Sequence, residues 1–152
     1  MKQRIDPFAA APEAIKGMLA TEAYLKQSPL GHGLVHLLKL RASQMNGCGY
    51  CIDMHWKDAR AGGETEQRLY GLSAWRESPY YTDRERAALE WMEALTNIAE
   101  TGAPDAAFDG LRSHFSEREI IDLTLLAAQI NAWNRIAVGL RTVPGSYKPA
   151  GK

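Results

Sequence analysis

The residues whose types and spacing point most directly to chemistry are two cysteines and a histidine within residues 46–55. Cys48 and Cys51 are the only cysteines of the 152-residue chain, and His55 follows the second by four positions. Residues three and four positions apart share one face of an α-helix, so these three side chains would form one stripe. Unpaired N–H groups at a helix N-terminus stabilise a thiolate, and an imidazole one turn away could accept its proton. The spacing therefore predicts a thiol redox site.

A cysteine pair at this spacing is compatible with other uses. Buried cysteines can act as small hydrophobic residues, and C-x-x-C also occurs in zinc sites, which usually take four ligands, often in two pairs. The chain has no second C-x-x-C, so zinc would need His55 together with His32 or His36. We therefore favour a dithiol/disulfide pair and predict no metal and no cofactor. A non-enzymatic redox-sensing or zinc-binding module is the alternative.

The residues alone leave the order of the two thiols open. The helix dipole favours Cys48 as the reactive thiol, whereas the nearby histidine favours Cys51. Peroxide reduction needs a thiolate that attacks the O–O bond, a sulfenic acid, and a second thiol that closes a disulfide. We favour Cys51 as the attacking thiol, with His55 moving the proton. Cys48, which we expect to be more exposed at the helix edge, would resolve the intermediate.

Other polar residues favour supporting roles. His36 lies twelve positions before Cys48 and is either a polar helix position or an assisting proton relay. His114 is predicted to lie late in a short helix, in a structural role. The long apolar segment near the C-terminus carries polar residues that need partners if buried. We expect them to tie helices together or to meet at a subunit contact, with lining of a pocket near the thiols as the alternative; they are Gln129, Asn131, Asn134 and Arg135.

The composition indicates one globular domain over residues 1–152, with 45% hydrophobic and 24% charged residues. Lys+Arg and Asp+Glu both total 18, which argues against non-specific binding to nucleic acid or anionic membranes. Neither a signal peptide nor an apolar run of about 18 residues is present. We therefore expect a soluble cytoplasmic protein, in which a close cysteine pair is more often catalytic, redox-sensing or metal-binding than a permanent disulfide.

The elements that must position these residues are all predicted to be helices, about seven in an all-α fold. Pro12 suits the first position of a helix that continues to Lys26. Ser28 and Pro29 are predicted to open the next helix. The turn signal at 46–47 then precedes the motif helix, which should end at 62–63.

The second half of the chain is predicted to continue with helices. Capping-box sequences at 82–85 and 116–119 predict two helix starts, the second opening a buried central helix to about Leu140. Pro104 is predicted to start a short helix with Phe108, Leu111 and Phe115 inward. A further short helix is expected at 65–74, and irregular segments are expected at 1–11, at 75–81 and after Pro144.

The motif and its surroundings resemble the AhpD-like alkylhydroperoxidases of the carboxymuconolactone decarboxylase superfamily. The resemblance covers roughly residues 15–141 and depends most on LLKLRASQMNGCGYCIDMH at 37–55, with matching flanks at 63–64, 72–78, 84–89 and 130–135. It implies an all-helical fold that assembles into homo-oligomers, commonly dimers, trimers or hexamers. It also implies peroxiredoxin-type activity on hydrogen or organic hydroperoxides.

The resemblance also implies roles for individual residues. Cys51 corresponds to the peroxide-reacting cysteine, Cys48 to the resolving and reductant-facing one, and His55 to the proton relay. The implied partner is a dithiol reductant such as a lipoylated or thioredoxin-like protein. One position departs from the family, because His36 stands where a glutamate is usual and brings no fixed negative charge. Lactone decarboxylation is disfavoured, because the decarboxylases of this superfamily lack the C-x-x-C pair.

Overall fold

The computed structural model describes residues 2–149, and every regular element within them is a helix. The all-α prediction is therefore confirmed. No helix in this range combines the length and the apolar character that crossing a membrane requires. The α-helices are α1 (Pro7–Ala10), α2 (Pro12–Leu25), α3 (His32–Met45), α4 (Gly49–Ala61), α5 (Glu66–Tyr70), α6 (Asp83–Thr96), α7 (Ile98–Thr101), α8 (Asp105–Arg112) and α9 (Glu117–Leu140), and a 3-10 helix (Gly71–Ala74) follows α5.

The helix count differs from the predicted seven because the structure contains short helices that periodicity does not reveal. Helix α1 lies in the segment predicted to be irregular, and the Asp6 side chain caps it by accepting a hydrogen bond from the Phe8 N–H. Helix α7 follows α6 after one non-helical residue, Asn97, and Gly102 caps its C-terminal end. The helix predicted at 65–74 is α5 together with the 3-10 helix.

Most of the predicted helix starts are confirmed by their caps. Pro12 is the first residue of α2, and Thr82 and Ser116 each form a complete capping box. Helix α3 begins at His32 and not at Ser28–Pro29, because Gly31 has φ +85° and ψ 143°, a conformation that a helix cannot continue through. The capping residues thus predicted the starts of these helices correctly, except at α3, where the backbone conformation of Gly31 delays the start.

Helices α3 and α9 form the centre of the bundle, and both contact the motif helix α4. Helix α3 packs against α4, α6 and α9, and α9 also contacts α2 and α8. Leu111 and Phe115 are buried as predicted, but Phe108 is 37% exposed, and its ring meets that of Trp91 at an angle of 61°. Fully buried side chains fill the space between these helices, among them Leu37, Leu38, Leu40, Leu72, Leu89, Leu123, Leu126 and Ile130.

Candidate active site

A tight turn between α3 and α4 sets the position of the first cysteine. Gly47 has φ +66°, a left-handed conformation that glycine adopts without steric cost. The Cys48 N–H donates to the Ser43 carbonyl at 3.0 Å, which closes the turn. Cys48 is then the N-cap of α4, and its Sγ accepts a hydrogen bond from the Cys51 N–H at 3.3 Å. The predicted helix start at the cysteine motif is confirmed.

The two cysteines form a disulfide with their Cα atoms 5.3 Å apart. Cys48 is 1% exposed and Cys51 is 2% exposed. The expectation that Cys48 is the more exposed thiol is therefore wrong. The end of α9 and the chain that follows lie near this residue, since Val138, Arg141 and Thr142 line the same small cavity as Cys48.

The two cysteines border different cavities. Cys51 lines a cavity of about 690 Å³ together with His36, His55 and Asp58. Cys48 instead lines a second cavity of about 140 Å³ against the C-terminal end of α9. The disulfide thus lies between two neighbouring cavities, one lined by Cys51 and the other by Cys48.

His55 is buried beside this large cavity without a hydrogen-bond partner. Its side chain is 4% exposed, and neither Nδ1 nor Nε2 has a partner among the described residues. Burial lowers the pKa of His55 well below its ordinary value, with smaller contributions from Lys39 and His36. The imidazole is therefore neutral near pH 7 and keeps a free lone pair.

His36 lies next to His55, as its position on the preceding helix allowed. The two ring centroids are 6.0 Å apart, and His36 Nδ1 is also buried without a partner. Burial lowers the pKa of His36, and the nearby Asp58 carboxylate opposes this effect. One ligand atom from each of His36, His55 and Asp58 lies within 4.8 Å of the other two. The fold therefore gives His36 a carboxylate neighbour.

The charged groups around the histidines are themselves paired. The Asp58 carboxylate accepts a hydrogen bond from the Tyr147 hydroxyl at 2.7 Å, and burial, together with this bond, raises the pKa of Tyr147. Lys39, 6% exposed, forms a salt bridge of 2.6 Å with Glu22. The Trp133 indole N–H donates to the other Glu22 oxygen at 3.0 Å. Asp58, Lys39 and Glu22 are thus each held by a hydrogen bond or an ion pair.

Polar residues of α9 hold the turn that precedes the cysteines. Asn46 Nδ2 donates to the Oδ1 atoms of Asn131 and Asn134, each at 2.9 Å. Asn134 Nδ2 donates to Ser43 Oγ at 3.1 Å, next to the carbonyl that receives the Cys48 N–H. Elsewhere on α9, Gln129 Nε2 donates to the Met18 carbonyl at 2.8 Å. Arg135 also takes part, because its guanidinium donates to Asn131. These contacts support the structural role expected for the polar residues of α9.

We expect Asn134→Ala to lower the free energy of unfolding by about 1–3 kcal/mol, because it leaves buried partners unsatisfied. Asn134 is 1% exposed, and its amide bridges α9 to both Ser43 and Asn46. Urea unfolding followed by circular dichroism would measure the change. Asn97→Ala is the matched control, because Asn97 is exposed and its side chain does not cap α7. Equal stabilities of the two variants would contradict the proposed importance of this network.

The four residues selected from the sequence, His36, Cys48, Cys51 and His55, lie together. Two of their neighbours, Asp58 and Tyr147, were not predicted. Asp58 is three positions after His55 on the same helix, so its spacing could have indicated a shared face. Tyr147 lies in the segment after α9, and no local pattern indicates that this segment returns to α4. His114 lies two residues beyond the end of α8 and is exposed, outside the site.

Known proteins are similar to this chain in both sequence and fold. The model of the carboxymuconolactone decarboxylase family matches residues 9–94, more than half of the chain. The uncharacterized protein YdfG of Bacillus subtilis (strain 168) is 46% identical over 140 residues, which are 92% of this chain and 95% of YdfG. YdfG shows the relationship over nearly the whole length but carries no described activity.

Solved structures share the arrangement of helices. ATU0492 from Agrobacterium tumefaciens, a protein of unknown function described as a candidate antioxidant defence protein AhpD, superposes with a TM-score of 0.93 at 52% identity, covering 96% of this chain and all of that one. A peroxidase-related protein from Ralstonia eutropha JMP134 with an alkylhydroperoxidase AhpD core superposes with a TM-score of 0.81 at 21% identity, over 91% of this chain and 74% of that one. The second likeness supports the fold alone. The chain belongs to the carboxymuconolactone decarboxylase family, and its C-x-x-C-x-x-x-H motif places it among the AhpD-like members.

Proposed function

We propose that this protein is a thiol-dependent peroxidase that reduces hydroperoxides through the Cys48–Cys51 pair. The observation that carries the proposal is that Cys51 and the buried, neutral His55 line one cavity. A peroxide entering this cavity would meet a sulfur and a proton acceptor together. The family membership supports the same chemistry.

The reaction would proceed in two steps at sulfur. The Cys51 thiolate attacks the terminal oxygen of a hydroperoxide, the O–O bond breaks, and the leaving alkoxide takes a proton to depart as an alcohol. The Cys48 thiolate then attacks the sulfur of the resulting sulfenic acid, so that the disulfide forms and the released hydroxide takes up the proton that Cys48 gave up and leaves as water. His55 accepts the thiol proton and returns it to the leaving oxygen, with His36 beside it.

The lining of the large cavity favours an organic hydroperoxide. Apolar side chains form much of its wall, including Leu19, Val35, Ile130 and Trp133. A volume of about 690 Å³ is in the range of drug-sized ligand pockets, and far exceeds the roughly 30 Å³ that one water molecule occupies in the liquid. The cavity therefore has room for an alkyl or aryl group beside the peroxide.

Regeneration of the thiols needs a dithiol reductant, because the disulfide is the product of each turnover. Exchange begins with attack of an external thiolate on one sulfur. Cys48 borders the second cavity with Val138 and Arg141, whereas Cys51 lines the larger one. We infer that a reductant of the lipoylated or thioredoxin-like kind attacks Cys48 from this side.

The proposal is tested by counting thiols in reduced, metal-stripped protein before and after one equivalent of cumene hydroperoxide. We expect two thiols per chain to disappear and dithiothreitol to restore both, because the reaction converts one dithiol to one disulfide. Protein whose thiols have been alkylated is the control and should not consume peroxide. Thiols that persist after the peroxide dose would overturn the peroxidase assignment.

A further inference from the structure

We propose that His36, His55 and Asp58 bind one divalent transition-metal ion, with Zn²⁺ the best match, beside the cysteine pair. The site joins two helices, because His36 comes from α3 while His55 and Asp58 come from successive turns of α4. Each side chain offers one ligand atom, and the three atoms lie within 4.8 Å of one another.

The distances fit a site that closes around an ion by small side-chain rotations. Zinc binds imidazole nitrogen and carboxylate oxygen at about 2.0–2.2 Å, so tetrahedral ligands lie roughly 3.4 Å apart. The upper separation of 4.8 Å therefore requires the ligand atoms to approach by roughly 1.4 Å. Rotation about the side-chain bonds of His36 and Asp58, both only partly buried, would bring the ligand atoms closer together without a backbone shift.

Unsatisfied polar atoms cluster at this place. Within residues 2–149, four buried side-chain nitrogen or oxygen atoms lack a hydrogen-bond partner, and three of them belong to His36 and His55. Buried polar atoms without partners are uncommon in native proteins and call for a ligand, a water molecule or an ion. His55 carries two of these atoms at 4% exposure, so a ligand bound here would satisfy a group that the protein itself leaves unpaired.

The surrounding charges favour a cation. Asp58 contributes a negative charge directly, and the buried cation near both histidines, Lys39, is neutralised by Glu22 at 2.6 Å. His32 stacks on the outer side of His36 with ring centroids 6.5 Å apart, and it is exposed to solvent. The balance of Asp58, Glu22 and Lys39 is one net negative charge, before any ion binds.

The ligand types select the kind of metal. Two imidazoles and one carboxylate form the protein ligand set of several catalytic zinc sites and of non-haem iron sites, with a further position open. The Tyr147 hydroxyl donates to Asp58 at 2.7 Å, the kind of outer contact that orients a ligating carboxylate. This set differs from a thiolate zinc site, because Cys48 and Cys51 are bonded to each other and contribute no ligand.

The site would bear on the reaction through His55. A metal ion occupies the imidazole lone pair that proton transfer needs, so metal binding and peroxide turnover would exclude each other. This consequence depends on the proposed function, whereas the binding site itself does not.

The test is a metal titration of the disulfide form, after chelator treatment and desalting. We expect one Co²⁺ per chain by visible absorption and one Zn²⁺ per chain by calorimetry. His36→Gln and Asp58→Asn should each weaken binding by about tenfold or more, since even outer-contact losses cost 10- to 100-fold in metal affinity. The controls His114→Gln and Asp109→Asn alter exposed residues outside the cluster and should bind like the unaltered protein.

The two ligand variants lie on different helices, so one remains informative where the other does not fold by circular dichroism. Absence of stoichiometric binding, or equal affinity in the ligand variants and the controls, would overturn the proposal. Because the titration uses no hydroperoxide and no free thiol, its outcome is independent of whether the protein is a peroxidase.

Discussion

Replacing Cys51 with serine should abolish hydroperoxide-dependent thiol loss. The hydroxyl that replaces the thiol is a weak nucleophile without a strong base, and the remaining Cys48 borders the other cavity. We expect the rate of peroxide consumption to fall by more than about a hundredfold, to the level of protein-free buffer. Peroxide assays and thiol counts on the same samples would measure both effects, and Cys48 should remain titratable.

The matched variant Cys48→Ser should behave differently. Cys51 would still reduce one equivalent of hydroperoxide, but no second thiol could close the disulfide. The chain should therefore stop as a sulfenic acid at Cys51, which a dimedone adduct identifies by mass spectrometry. If the adduct formed in Cys51→Ser instead, the attack would belong to Cys48. Continued turnover by both variants would remove the pair from the reaction.

The motif helix could be predicted because its determinants are local. Gly47 permits the left-handed turn, and Cys48 occupies the N-cap. The stripe of Cys48, Cys51 and His55 depends only on helical periodicity. The same locality explains why the capping boxes at Thr82 and Ser116 gave correct starts for α6 and α9.

The rest of the site depends on contacts between distant segments. Cys48 is buried because the end of α9 and the segment after it lie over the start of α4, which no pattern around residue 48 encodes. Tyr147 reaches Asp58 from 89 positions away. Helix α1 has only four residues, too few to show an apolar repeat, and its Phe8 stacks on the distant Trp133. Local chemistry was therefore predictable, but burial and neighbours were not.

His36, where the resemblance to the AhpD-like proteins implies a glutamate, has an acidic neighbour in this structure. An imidazole there lacks the fixed negative charge that a glutamate would bring, but Asp58 places a carboxylate beside it. Asp58 also opposes the effect of burial on the pKa of His36. The negative charge thus comes from α4 and not from α3, and Tyr147 holds it in place. The result is a pair of histidines with one acidic neighbour at the edge of the cavity.

Replacing His55 with glutamine should slow hydroperoxide-dependent thiol loss by about 10²–10⁴-fold, the usual contribution of a positioned acid–base group. Glutamine has a similar size and can occupy the buried site, but it cannot accept the Cys51 proton. Quenched-flow thiol titration of the reduced protein would measure the rate. His114→Gln is the matched control, because His114 is exposed and lies outside the cavity.

A second rate separates proton transfer from structural support. Reduction of the Cys48–Cys51 disulfide by dithiothreitol begins at a sulfur, and Cys48 borders a cavity that His55 does not line. His55→Gln should therefore keep the reduction rate of the unaltered protein while losing the oxidation rate. Parallel losses in both rates would mean that His55 holds the helix in place, and an unchanged oxidation rate would exclude it from the reaction. Only a selective loss identifies His55 as the group that moves the proton.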